Sequence, residues 1–359
     1  MNSIIETFAK RLKQARKRAK LSMDDLCSIL EPKVSKQTIS KYEAGKSMPN
    51  GIIMFALAKA LGVDIDYFAR PFDFHIEELE ISFRKKASMS AKEVEALKVN
   101  VQDAIERYLE VEALLGIKPQ KQDPVTTSTL STSDDVRIVA QRLRERWGLG
   151  DHPILNVQEL LESIGVKVLL TNGPEEFDGV SGIINKNDTA YSVIVINPQK
   201  MCERRRLTTM HELGHILLND LFDEHLSGRE IEKCCNSFAS EMLFPESVAK
   251  YWFDGNRQIS LPELKHCQQV YGVSIEAIVY KLHELGIIND SRYKSFMFLK
   301  NTKPFMKQAV RTSLFSEANS KRFEAMVYKA MAEGLVTRER AAVLLNQPIS
   351  EVEFNMDAI

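Results

Sequence analysis

Thr208-Thr209-Met210-His211-Glu212-Leu213-Gly214-His215-Ile216-Leu217-Leu218 is the stretch from which the rest of the chain is read. Met210, Leu213, Leu217 and Leu221 recur at three- and four-residue spacing, which predicts an amphipathic helix. His211 and His215 are one turn apart, so both imidazoles leave the same face. That spacing suits two nitrogen ligands on one Zn²⁺, with bonds of ~2.0–2.1 Å. Glu212 lies beside them, placed to accept a proton from a water activated by the metal. The same pattern also arises by chance on helices with two unrelated surface histidines, so it needs support from elsewhere.

A catalytic zinc needs a third protein ligand and an open position for water. Residues 230–245 read as a second helix, on which Glu232 and Asn236 are one turn apart. Glu232 is the candidate third ligand, with Asn236 a candidate to orient the ligands. Glu230 and His225 are rivals, although His225 lies too far past His215 for the H-E-x-x-H-x-x-G-x-x-H pattern. For stabilising an oxyanion, Tyr191, His225 and His266 stay open. Upstream, residues 136–147 and 157–164 read as helices and 166–170 as a strand. Residues 181–185 and 191–197 flank Asn187-Asp188, a hairpin signal. The expectation is an α+β domain with a small sheet against the metal helix.

Of the 359 residues, 44% are hydrophobic and 27% charged, as in ordinary globular chains. No apolar run approaches the ~20 residues of a membrane span. The N-terminus lacks the basic-then-apolar order of a signal peptide. Five cysteines, an odd number without framework spacing, fit reduced thiols, and the expected location is cytoplasmic. Adjacent Cys234 and Cys235 are expected to be buried small apolar residues. The net charge of −1 conceals an asymmetry: residues 1–50 carry eleven Lys or Arg against five Asp or Glu. A basic head on an acidic body points to nucleic acid at the N-terminus.

That head predicts five short helices. Ile5, Phe8, Ala9, Leu12 and Ala15 mark the first. Ser22 with Asp25 caps the second, Ser35 the third, Gly62 ends the fourth, and residues 64–68 form the fifth. Leu12, Arg16, Leu21-Ser22, the run from Ser35 to Lys46, Pro49 and Leu57-Ala58-Lys59-Ala60-Leu61-Gly62-Val63 resemble the Xre/Cro helix-turn-helix repressors. The resemblance implies a λ-repressor-like all-α domain whose third helix enters the major groove. Lys36, Gln37 and Lys41 are then the base-reading candidates, and Ser35, Ser40 and Lys46 the phosphate-contact candidates. Ile39 and Tyr42 read as core. A basic helical domain that binds a protein is the alternative.

Residues 71–117 read as a helical connector, in which Val94, Leu97, Val101, Ile105, Leu109 and Leu115 form a stripe for dimerisation or for packing within the chain. Residues 118–135 read as a linker rich in Pro, Thr and Ser. The metal-motif domain takes 136–290, and a helical docking region 291–359.

Gly179-Val180-Ser181-Gly182, Ile196-Asn197, Arg206-Leu207-Thr208, the His211–His215 motif and Asn236, Phe238, Ala239, Glu241, Leu243 and Pro245 resemble the ImmA/IrrE metallopeptidases. Val273-Ser274, Ala277, Lys281-Leu282 and Leu285-Gly286 extend the likeness. Cys234-Cys235 and Lys281 depart from it, where Glu-Ala and Arg are usual. The resemblance implies a zincin-like fold and regulated zinc-dependent cleavage of repressors, relieving repression in stress or mobile-element responses. The expected protein is a homodimeric regulator that binds double-stranded operator DNA and cleaves a partner repressor or itself. The rival expectation is a non-cleaving repressor or antitoxin whose zincin-like domain binds a toxin or senses a signal.

Overall fold

The computed structural model describes residues 2–69, 78–81, 90–118, 128–186, 189–255 and 257–356. Residues 119–127 of the expected linker, parts of the connector and the Asn187-Asp188 turn lie outside these residues.

The N-terminal unit is α1 (Asn2–Arg18), α2 (Met23–Ile29), α3 (Lys36–Glu43), α4 (Gly51–Leu61) and a 3-10 turn (Ile65–Ala69). Ser22 and Asp25 form the capping box of α2, and Ser35 accepts the Thr38 N–H to start α3. Phe8, Leu12, Leu26, Ile39, Tyr42, Leu57 and Phe68 make one core. The Arg16 guanidinium bonds both Glu43 carboxylate oxygens, at 2.6 and 2.8 Å, and the Leu21 carbonyl at 2.8 Å. That two-toothed pair ties the first helix to the end of the third.

A strand, β1 (Glu78–Ile81), precedes the long helix α5 (Ala91–Leu114). After it come α6 (Ser133–Arg146), α7 (Val157–Ser163), β2 (Lys167–Leu170), β3 (Gly179–Lys186), β4 (Thr189–Ile196) and α8 (Cys202–Leu218). The sheet order is β1-β3-β4-β2, with β3 antiparallel to β4 and β2 parallel to it. β1 pairs with Gly182 to Asn185 of β3 and leaves Gly179–Ser181 outside its register. β1 falls where a helical connector was expected. Four alternating residues whose partner is about a hundred positions away carry almost no local signal.

Both faces of the sheet are covered. On β4, Val193 and Val195 meet Leu97, Val101, Ile105 and Leu109 of α5. The alternate residues Ile194 and Ile196 join Met210 and Leu213 of α8. This explains the unbroken apolar run of β4, since successive side chains point to opposite and equally dry faces. The stripe on α5 is thus covered within the chain, the second of the two uses its sequence left open. Further along, Tyr108 and Val111 pack on the C-terminal helices.

The chain continues through α9 (Gly228–Leu243), α10 (Glu246–Phe253), α11 (Leu261–Tyr271), α12 (Ile275–Glu284), α13 (Asp290–Thr302) and α14 (Pro304–Arg311). Residues 312–321 then run without regular structure along α8. There Glu317 pairs with buried Arg206 at 2.8 Å, and Ser313 donates to Glu203 at 2.7 Å. This strap leads to α15 (Arg322–Ala332), α16 (Arg338–Leu345) and α17 (Ile349–Met356), which close on α5 through stacked Phe323 and Tyr108 and the Arg340–Glu110 pair. No described helix is long and apolar enough to cross a membrane.

Candidate metal centre

Two glycines set the geometry around α8. A Cβ on Gly179 would lie 2.7 Å from the Thr208 methyl and 2.9 Å from the Val195 carbonyl, so β3 approaches α8 only because none is there. A Cβ on Gly214 would meet the Phe238 ring at 3.2 Å and the Cys235 Cα at 3.5 Å. Gly214 thus lets α9 cross close above the histidine face. α9 itself starts with a Ser227–Glu230 capping box.

These contacts bring His211, His215 and Glu232 together, with one ligand atom of each within 4.8 Å of the others. Glu232 places one carboxylate oxygen 3.2 Å from His211 Nε2 and the other 3.4 Å from His215 Nε2. The two Nε2 atoms are 3.2 Å apart. Behind them, His211 Nδ1 donates to Asn236 Oδ1 at 2.9 Å, because an amide oxygen only accepts. Nε2 of that ring is therefore the nitrogen that faces the cluster. His215 Nδ1 faces Cys235 Sγ at 3.4 Å. His211, and then His215, hold the Glu232 carboxyl well below the usual carboxylate range, so it is ionised as a ligand must be. Two imidazole nitrogens and a carboxylate oxygen thus converge on one point. The donor set fits a divalent cation of the zinc class.

Glu212 points beside this cluster and accepts from Ser181 Oγ at 2.6 Å. Ser181 sits on β3, and its hydroxyl fixes one carboxylate oxygen. In sequence, a serine on a strand carries no signal for a glutamate about thirty residues on. Cluster and Glu212 open onto a cleft of about 810 Å³ bordered by β3 from Gly179 to Ile183, with Asp178 and Arg204 also on its wall.

The rivals lie elsewhere. The Glu230 carboxylate is spent on the Ser227 backbone N–H and hydroxyl, and those bonds lower its pKa. Tyr191, His225 and His266 do not line the cleft. Tyr191 packs against the core shared with α5, and His266 stacks on Trp252. Lys281, which departs from the family pattern, is wholly buried and paired with equally buried Glu241. Glu241 also accepts from Gln141 and from the Glu246 N–H, so this corner holds α6, α9 and α12 together. Cys234 and Cys235 are both buried, as small apolar residues would be.

At the other end of the chain, Lys36, Gln37, Ser40, Lys41 and Lys46 are exposed, while Ile39 and Tyr42 are buried. Lys36 bridges to Asp24 at 2.6 Å across open surface, and the Ser35 hydroxyl is engaged in capping. Several cations of α1 turn away from this face. Arg11 pairs with Glu106 at 2.9 Å, and Lys17 with Glu95, both on α5. Part of the basic head is thus docking charge rather than surface for nucleic acid.

Residues 12–68 match the family model described as helix-turn-helix, and residues 162–283 match Peptidase_M78, the IrrE N-terminal-like domain. The chain fuses a helix-turn-helix domain to an ImmA/IrrE-like peptidase domain. No curated protein matches it. The fusion makes it a DNA-binding regulator type with a metallopeptidase-type hydrolase domain.

Proposed function

We propose that this chain is a cytoplasmic transcriptional repressor that carries its own zinc endopeptidase and cleaves a partner repressor, or itself, to relieve repression. The observation that supports this most is the convergence of His211, His215 and Glu232 beside Glu212, on a cleft in the same chain as an exposed recognition helix. His211, His215 and Glu232 would hold Zn²⁺, which when bound supplies Lewis acidity toward a peptide carbonyl and toward water. Glu212 takes the proton of the attacking water and returns it to the leaving amine. Ser181 keeps the Glu212 carboxylate aimed while it does so. Asn236 holds the His211 ring in one tautomer. The Gly179–Ser181 part of β3, which lies on the cleft and outside the register of β1, suits an extended peptide, whose backbone pairs with a strand. In the N-terminal unit, Lys36, Gln37 and Lys41 would read bases while Ser35, Ser40 and Lys46 set register on phosphates.

Glu212→Gln keeps the size of the side chain and removes its basicity. Cleavage of the partner or of the chain should fall by about 10²–10⁴-fold, while operator affinity and bound zinc stay unchanged. Processing that continues at the original rate sinks the peptidase reading and leaves the non-cleaving repressor in its place.

A further inference from the structure

Glu232, Cys235 and Asn236 occupy one face of α9, at spacings of three and four residues. Each touches the histidine pair on α8. Glu232 meets both Nε2 atoms, Asn236 Oδ1 takes the Nδ1–H of His211 at 2.9 Å, and Cys235 Sγ lies 3.4 Å from Nδ1 of His215. The two rings are thus gripped in parallel fashion, one by an amide and the other by a thiol. Gly214 packs on the same stretch of α9, where a Cβ would crowd the Phe238 ring at 3.2 Å and meet Cα and Cβ of Cys235 at an ordinary 3.5 Å. Cys234, the neighbour in sequence, belongs instead to the main hydrophobic core.

We propose that Cys235 is a positioning residue for His215: its sulfur accepts the Nδ1–H and so presents Nε2 to the metal. This rests on the zinc reading of the cluster. Cys235 is fully buried, so water does not compete for the contact. Sulfur accepts weakly, and His215 is therefore the more loosely oriented of the two histidines. The thiol lies behind the ring, on the far side from Glu232, and is not itself a ligand.

Zinc affinity of the full chain, measured by competition with a chromophoric chelator, tests this without any peptidase readout. Cys235→Ala should weaken zinc binding by about 10-fold or more, within the range typical of partners that orient a metal-binding histidine. Cys235→Ser, which keeps an acceptor, should bind more tightly than Cys235→Ala, and His211→Ala should lose the site. Zinc-edge absorption on the wild type should show nitrogen and oxygen neighbours without sulfur. Unchanged affinity in Cys235→Ala, coupled with a lowered melting point of the zinc-free protein, overturns the proposal by making Cys235 a packing residue. Sulfur in the zinc shell overturns it by making Cys235 a ligand. Equal zinc binding by wild type and His211→Ala would instead show that the metal reading had failed, taking the proposal with it.

Discussion

Along α3 the residues assigned to DNA are exposed, and their directions follow from the helix alone once Ser35 caps it and Ile39 and Tyr42 anchor it. Along α8 each assigned residue is gripped from another element: His211 by Asn236, His215 by Cys235, Glu212 by Ser181, and both histidines by Glu232. On the proposed function, the first surface would work by staying available to a partner that supplies the complementary groups. The second would hold three ligand atoms in place before any substrate arrives, which takes partners from β3 and α9, buried at Ser181 and Cys235 and exposed at Asn236. Charge follows the same division. Lys41 and Lys46 are exposed, whereas Lys281 is sealed inside against Glu241.

The sharpest break of this comparison is Lys281→Met, which leaves Glu241 buried without its countercharge. Loss of one partner from such a pair should cost about 3–5 kcal/mol of folding stability in the peptidase domain. Thermal unfolding should show the loss, with zinc binding weakened and operator binding at low temperature retained. Loss of DNA binding in parallel would show that the two surfaces do not stand apart.

Lys41→Ala probes the other side. Operator affinity should fall by about 1–3 kcal/mol, with zinc affinity and melting point unchanged. A shallower salt slope would assign Lys41 to phosphates, and altered base preference would assign it to sequence reading. Unchanged affinity at all salt concentrations would remove α3 as the DNA-contacting face.

The smallest effect concerns the seam between the regions, where Arg11 meets Glu106. Burial raises the Glu106 carboxyl above its ordinary 4.5, against the opposing pull of Arg11 and Gln102. Above 4.5 the folded protein retains a proton that the unfolded chain has released. The contribution to stability is therefore full below 4.5 and is lost as pH rises through the raised folded value. The melting-point difference between wild type and Glu106→Gln should shift against the wild type over that interval. A difference that stays flat with pH would exclude this linkage.

Much of the plan was legible in the chain because it is written in local periods. The Ser22 and Ser35 caps, the α8 stripe and the strand pair about Asn187-Asp188 each declare themselves within a few residues. Glu232 and Asn236 were legible as a pair because one helical turn separates them. The contacts of Ser181 and Cys235 were not legible, since they depend on how close β3 and α9 come to α8. That closeness is set by Gly179 and Gly214, whose missing side chains are visible in sequence but whose neighbours are not. The helix α5 shows the same boundary: its stripe was plain, but nothing local said what would cover it.

By itself the sequence determined a basic helix-turn-helix head and a helix bearing two histidines and a glutamate, because helical period, caps and charge are short-range properties. Only the tertiary structure decided that α5 spends its apolar face inside the chain, that Lys281 is a core cation, and that α9 grips both histidines from behind. Those outcomes depend on which surfaces exclude water together, and burial is a property of the assembled fold rather than of any one segment.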